Sequence, residues 1–382
     1  MAASKSRDTI CDAAIIGFAL NSDGSEAVFS PNNHLLHIVD CKNKKDCGTW
    51  EIRATLEQHD QSVSATAWHG GTNRILSCAQ DRTAFVWYRN SKGNWKPQMV
   101  MLDAGVKRGL TSCAWSHSGS KIYVGSAASN IAVGRFETED EWWICRLLEG
   151  HSSTVTALAP HPSDDALLAS GGTDGKLMLV STYMKKLDGR KCKSFAHVYL
   201  EKNFGAWVHA IAWAPSGQRL AVATHDSRVH VFDVGLSGSF THDAVSPTLH
   251  TITMSILPLK ALAFVAEDHL VGGGFDYYPV LFTPIEAGAG WEMSGKWTIS
   301  RAKGVKTAQQ IAREKFQNEA RIGQAELIED EQNRHKNTIN SVISLFGPNA
   351  PTIPDINDPV FATASLDGRV EMWTMGEVMR TT

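Results

Sequence analysis

Short apolar runs alternate with polar turns along almost the whole chain, and one hairpin pattern keeps returning. Its clearest copy is Arg74-Ile-Leu-Ser-Cys-Ala-Gln-Asp81-Arg-Thr-Ala-Phe-Val-Trp87. An apolar strand meets a tight turn at Asp81, and a second strand ends on a large apolar residue. Other turns read the same way: Asn33 leads to Val39, Asn130 to Phe136, Asp174 to Val180, Asp226 to Phe232, Asp276 to Phe282 and Asp367 to Trp373. The apolar residue always falls six positions after the turn residue. Six is even, so both ends of the interval belong to one face of an extended strand. Asp and Asn suit the turn because their side chains bond nearby backbone and tolerate unusual φ.

The intervals between successive turn residues are 48, 49, 44, 52, 50 and 91. The first five match the repeat length of four-stranded propeller blades, about 40–50 residues. The last holds one blade plus an insertion of similar size. A further strand is predicted before each hairpin, over residues 14–20, 63–68, 110–115, 155–159, 208–213, 260–265 and 338–345. Pro/Ser/Gly turns such as Ser116-His-Ser-Gly119 and Pro215-Ser-Gly217 follow several of them. Units that cannot bury both faces alone must stack, and a ring of them leaves only short protected edges. The predicted fold is therefore all-β: a seven-bladed WD-repeat β-propeller, residues 1–382 forming one domain. Residues 4–10 are expected to supply the strand that closes the ring.

In WD blades the turn Asp joins a buried polar network with a His, a Ser or Thr and a Trp. His59, Ser77, Asp81 and Trp87 match in full, as do His335, Thr363, Asp367 and Trp373. His151, Ser170 and Asp174 match with Val180 in place of Trp. His and Asp together invite a catalytic reading. At these spacings they read better as packing struts, since fully satisfied buried networks specify structure.

Residues 300–334 break the strand pattern. They contain no Pro and are rich in helix-forming Ala, Gln, Glu, Lys and Arg. Ala308, Ala312, Phe316 and Ala320 fall four apart, beside Val305 and Ile311, and make a narrow apolar stripe on a short helix. The stripe either folds back on the ring, belongs to a disordered loop, or projects and docks Phe316 in a partner's groove. Residues 347–359 contain four prolines and read as a loop inside the last blade.

Composition narrows the chemistry. Net charge is −3, which gives no reason to expect nucleic acid or an anionic membrane as partner. The seven cysteines, Cys11, Cys41, Cys47, Cys78, Cys113, Cys145 and Cys192, include no C-x-x-C pair, and the odd number fits reduced thiols in the cytosol. The first residues carry no signal-peptide pattern, and no run of about 18 apolar residues suggests a membrane span. No H-E-x-x-H, P-loop, G-x-S-x-G or EF-hand pattern occurs, so no metal or other cofactor and no enzymatic activity is expected. His225-Asp226-Ser227 lists triad residue types, but neighbours in a hairpin turn do not converge as a triad does. Gly272-Gly-Gly274 follows a strand rather than opening a helix, and fits close backbone approach better than a phosphate cradle. Residues 42–45 and 185–193 read as solvated basic loops. In Trp142-Trp143, alternation sends one ring in and one out, leaving an interface anchor, unless outer-strand packing covers both.

More specific segments carry a resemblance. They are Pro31-Asn-Asn-His34, Asp81-Arg-Thr-Ala-Phe-Val-Trp87, Trp95-Lys-Pro97, Asp140-Glu-Trp-Trp-Ile-Cys145 and Gly205-Ala-Trp-Val-His209. Further along come His225-Asp-Ser227, Leu257-Pro-Leu259, Tyr278-Pro-Val-Leu-Phe282, Ala312-Arg-Glu-Lys-Phe-Gln-Asn318, His335-Lys-Asn337 and Asp367-Gly368. Together they resemble, nearly end to end, the WD-repeat subunit (subunit 1) of the actin-related protein 2/3 complex. The resemblance implies a non-catalytic scaffold subunit in a seven-protein assembly that nucleates branched actin filaments in the cytoplasm. It implies contacts with small subunits 4 and 5, with actin-related proteins 2 and 3, and with nucleation-promoting factors. It also implies contact between the insertion and an actin filament, a role that falls on Ile311, Ala312, Arg313, Phe316 and Asn318. The N-terminal strand and residues 323–333, with acidic Glu329-Asp-Glu331, depart from the family pattern, so contacts beyond Asn318 do not carry over. A WD-repeat adaptor in another cytosolic assembly is the alternative, and a propeller enzyme with an axial site is a third.

Overall fold

The computed structural model describes residues 9–44, 46–188, 193–234, 247–285, 290–298, 333–345 and 357–380. Blade 1 is β1 (Gly17–Leu20), β2 (Glu26–Ser30), β3 (Leu35–Asp40) and β4 (Glu51–Glu57). Blade 2 is β5 (Val63–His69), β6 (Arg74–Ala79), β7 (Ala84–Arg89) and β8 (Trp95–Met101). Blade 3 is β9 (Leu110–Trp115), β10 (Lys121–Ser126), β11 (Ile131–Glu137) and β12 (Trp142–Leu148). Blade 4 is β13 (Val155–Pro160), β14 (Leu167–Gly172), β15 (Lys176–Ser181) and β16 (Val198–Asn203). Blade 5 is β17 (Val208–Trp213), β18 (Arg219–Thr224), β19 (Arg228–Asp233) and β20 (Thr248–Thr253). Blade 6 is β21 (Leu259–Ala266), β22 (His269–Gly274), β23 (Val280–Pro284) and β24 (Trp291–Lys296). Blade 7 is β25 (Ile339–Ser344), β26 (Pro359–Ser365) and β27 (Val370–Thr374), and a last short strand, β28 (Met379–Arg380), follows. Within each blade, neighbouring strands are antiparallel and in sequence order.

The first strands of the blades pack side by side in a complete cycle, β1 against β5 and so on to β25, which returns to β1. These innermost strands are clasped by a repeated bond. Thr111 Oγ1 donates to the carbonyl of Val155 in the next blade at 2.5 Å, and Thr156 Oγ1 to that of Val208 at 2.5 Å. Asn340 Nδ2 donates to the Ile15 carbonyl at 2.6 Å, so blade 7 closes onto blade 1 by the same device.

The core is divided among the seams between blades. Alternate side chains of one strand enter different seams, as the two-residue period requires. On β18, Leu220 and Val222 join the cluster shared with blade 4, whereas Ala221 and Ala223 join the one shared with blade 6. Each of the seven clusters combines residues of two adjacent blades. This is why inner strands such as β10 and β14 are buried along their whole length. The glycines of β22 serve the same packing. A Cβ at Gly273 would lie 2.6 Å from Ile339 Cγ2, and one at Gly274 would lie 2.3 Å from the Pro258 carbonyl oxygen.

The strand expected to close the ring, residues 4–10, falls mostly outside the described residues. Its described end, Thr9 and Ile10, is not in a strand. Instead the backbone N–H groups of Ile10 and Cys11 donate to Gly368 O, so the segment crosses the blade 7 turn. Its apolar anchors, Ile10 and Ile15, are five apart rather than alternating, and so plug a seam instead of presenting a strand face. Trp50 and the 3-10 turn Cys47–Thr49 fill the rest of that seam against Ala362, Ala364, Val370 and Met372. Among the described residues blade 7 has three strands, and β28 pairs with β24 of blade 6. Within the proline-rich loop, Pro359 opens β26, a strand position that asks no ladder N–H of it. No helix among the described residues is long and apolar enough to cross a membrane.

Candidate protein-interaction site

In blade 2 the four network residues meet. Trp87 Nε1–H donates to Ser77 Oγ at 2.9 Å, and Ser77 Oγ lies 2.8 Å from His59 Nε2. His59 Nδ1 is 3.2 Å from Asp81 Oδ2. The carboxylate only accepts, so in the neutral imidazole Nδ1–H donates toward Asp81 and toward Thr83 Oγ1, 2.9 Å away, and Nε2 accepts from Ser77. Asp81 also accepts from the backbone N–H groups of Asp60 and Thr83 and from Thr83 Oγ1. Burial raises the Asp81 carboxyl, but those hydrogen bonds and the imidazole outweigh it and hold it below its usual pKa. Burial pulls His59 below its usual value, with Asp81 opposing.

Blade 4 repeats the arrangement without the indole. His151 Nε2 is 2.9 Å from Ser170 Oγ, and Nδ1 is 3.0 Å from Asp174 Oδ2. Blade 7 has the indole and lacks the final link. Trp373 Nε1–H donates to Thr363 Oγ1 at 2.7 Å, and Thr363 Oγ1 lies 2.6 Å from His335 Nε2. The 3.6 Å from His335 Nδ1 to Asp367 Oδ1 is too long for a hydrogen bond. In blades 2 and 4 the His–Asp pair is hydrogen-bonded within its own blade, whereas in blade 7 His335 bonds only Thr363 and leaves Nδ1 without a partner.

His225, Asp226 and Ser227 do not converge. Asp226 binds Thr224 Oγ1 at 2.5 Å and Arg228, Ser227 has φ +57°, and His225 turns toward blade 5's inner strand. There, sequence reasoning missed a surface. His225 Nδ1 lies 2.8 Å from His209 Nε2, the Trp207 ring is 5.1 Å from His225, and Phe275 is 6.4 Å from His209. Trp207, Leu257 and Tyr277 around this path are exposed. Burial, with His225 and Lys260 nearby, lowers the His209 pKa to about 4, so the imidazole is neutral near pH 7. The available signal was a Trp immediately before an inner strand, with a His where other blades place the clasping Thr or Asn.

The basic loop at residues 185–193 also holds a group the sequence reading missed. Lys121 is fully buried, and its Nζ donates to Asp188 Oδ2 at 2.6 Å and to the carbonyls of Asp165 and Thr182. Asp188 thus ties blade 4's loop to blade 3. Of the adjacent tryptophans, Trp143 is buried and Trp142 is 42% exposed, so packing covers only one. Ile311, Ala312, Arg313, Phe316 and Asn318 lie outside the described residues. The ends of the insertion are described. Trp297 N–H donates to Pro279 O, and Asn333 Nδ2 donates to Asp276 O at 3.3 Å, so it leaves and returns beside one turn of blade 6.

The repeat known as WD domain, G-beta repeat matches residues 50–88, 142–181 and 194–233. Each match runs from the outer strand of one blade through three strands of the next, which interlocks consecutive blades. The chain is 30% identical over 380 residues to actin-related protein 2/3 complex subunit 1 of Schizosaccharomyces pombe, covering 94% of this chain and 96% of that protein. It belongs to the actin-related protein 2/3 complex subunit 1 family. Other members include subunit 1A of Arabidopsis thaliana, 29% identical over 94% of this chain and 93% of its own length. Subunit 1A-A of Xenopus laevis is 33% identical over 71% of this chain and 72% of its own length. The family's WD repeats and the closed seven-bladed ring agree.

Proposed function

We propose that this chain is a non-catalytic scaffold subunit of a cytoplasmic actin-related protein 2/3 complex, supporting actin nucleation and branch formation. The observation that carries the reading is likeness to subunit 1 proteins over nearly their whole length, without a missing blade. The hydrogen bonds that the His–Asp pairs of blades 2 and 4 make within their own blades favour holding over turnover. The partners proposed are actin-related proteins 2 and 3, small subunits 4 and 5, nucleation-promoting factors and the actin filament. Ile311, Ala312, Arg313, Phe316 and Asn318 are the residues proposed to meet the filament.

Purification of the tagged chain from its own cells tests membership. Six co-purifying proteins including two actin-related proteins are expected, and a different set refutes it. Phe316→Ala tests the insertion. Removing an apolar anchor worth about 2 kcal/mol should reduce branching on preformed filaments while leaving the complex assembled. Wild-type branching by the assembled variant refutes the role.

A further inference from the structure

The outer strands of blades 2 and 3 are joined. β8 and β12 pair in parallel, with Val100 opposite Trp143 and Met101 opposite Ile144. Partners in a ladder share a face, so Trp143 and Val100 turn inward, and both are buried. Met101 and Ile144 turn outward, and one step earlier Met99 and Trp142 do the same. Met99 is 50% exposed, Met101 41% and Trp142 42%, and Ile144 is half-buried beside them. Large apolar side chains grouped on an outer wall are unusual for a surface without a partner.

The pairing also limits what can bind. Where β8 and β12 meet, each strand has a neighbour on both sides, β7 and β11 being the others. No free backbone edge remains there, so a partner cannot add a strand and must offer side chains. Met99 and Met101 are about 6.7 Å apart along the strand, close to the about 6 Å rise between positions i and i+4 of a helix. Methionine adapts to such insertion without one fixed shape.

Charge selects the sign. The turn entering β12 carries Glu139, Asp140 and Glu141, all exposed and without a basic partner among the described residues. Arg135 and Lys186 are taken by Glu137, and Arg146 lies over the Phe195 ring at 4.1 Å. The turn of residues 138–141 contains no basic residue and carries a net charge of −3. We infer that the joined wall of β8 and β12 is a docking site for a basic amphipathic helix of a partner protein. Its apolar stripe would cover Met99, Met101 and Trp142, and its Lys or Arg residues would face the acidic turn. The site is independent of the family reading and is testable on the isolated chain.

The probe is a fluorescent peptide of about 18 residues, with leucines along one helical stripe and lysines elsewhere, titrated by anisotropy. Met99→Ser/Trp142→Ser should weaken binding about tenfold or more, and Glu139→Gln/Asp140→Asn/Glu141→Gln should weaken it and flatten its salt dependence. An isomer of the peptide with the stripe scrambled, and a Leu/Glu version, should bind more weakly than the probe. On the wild-type chain, hydrogen exchange should slow in residues 95–101 and 142–148 when the probe binds. Equal binding by the double variant or by the scrambled isomer, or protection confined to other blades, overturns the inference.

Discussion

Ser77→Ala is the sharpest perturbation of the blade 2 network. Ser77 is fully buried, and its one hydroxyl serves two neighbours: it accepts from Trp87 Nε1 and donates to His59 Nε2. Alanine leaves both ring nitrogens, His59 Nε2 and Trp87 Nε1, buried and without this partner. Each orphaned group costs about 1–3 kcal/mol, so the expected loss is about 2–6 kcal/mol. Ser170→Ala in blade 4 orphans only His151 Nε2, because Val180 stands where the indole would be. Its expected loss is half that, about 1–3 kcal/mol. The difference isolates the indole, and a cycle with Trp87→Phe checks it: in that background Ser77→Ala should fall to the blade 4 value. At this chain length 1 kcal/mol moves the melting temperature by only roughly 1 °C, so urea midpoints are the better assay. Equal losses at Ser77 and Ser170, or no coupling with Trp87, would refute the one-way relay from indole to carboxylate.

Acid should weaken the fold in two steps. His59 and His151 sit below the ordinary histidine value because burial disfavours the imidazolium, with Asp81 and Asp174 opposing. Such groups contribute stability fully above about pH 6.5, and lose it as pH falls through their folded values. Asp81 and Asp174, held low by their hydrogen bonds against burial, lose theirs as pH falls below about 4. The urea midpoint should therefore drop from pH 7.5 to 5.5, and a rise would contradict the assignment. Asp188→Asn leaves the buried Lys121 ammonium without its counter-charge and should cost about 3–5 kcal/mol. Lys121→Met should cost less, since Asp188 keeps the Met184 N–H; the opposite ranking by urea unfolding would refute the buried pair. Gly217 has φ +72° and a Cβ there would lie 2.3 Å from His161 Nε2, whereas Gly93 has φ +79° and open space. Gly93→Ala should cost about 1–2 kcal/mol and Gly217→Ala clearly more, and equal urea midpoints for the two would show that the His161 contact carries no energy.

The blade pattern was legible because one turn residue and one apolar residue mark every hairpin. The strand predicted over residues 110–115 coincides with β9, and that over 208–213 with β17. The networks were legible because His, Ser or Thr, Asp and Trp recur at fixed offsets. Their unequal completeness was not. Whether His335 Nδ1 reaches Asp367 depends on about half an ångström of blade 7 geometry that no residue identity encodes. Lys121 was missed because its partner, Asp188, lies in the next blade within a run that reads as solvated lysines. The ring path from Trp207 to Phe275 was missed for the same reason, since its members come from two blades. Contacts within a repeat are written in spacing, and contacts between repeats depend on stacking.

The roots of the insertion explain how a propeller can carry one. Trp297, nearly fully buried, donates from Nε1 to the Thr374 carbonyl at 2.8 Å and meets Phe361 edge-on at 4.9 Å. On the return, Arg334 lies over the Trp373 ring at 4.5 Å and donates to the Met372 carbonyl. Both ends are thus clamped to blade 7 while they leave and re-enter beside blade 6. Once the ends are fixed, lengthening the connection costs only about 0.6 kcal/mol per doubling. Substitutions inside residues 299–332 should then be separable from the stability of the ring, whereas changes at Trp297 or Arg334 strike the seam between blades 6 and 7. A loss of function from Phe316→Ala with an unchanged urea midpoint therefore speaks to what the insertion touches, and the same loss from Trp297→Ala does not.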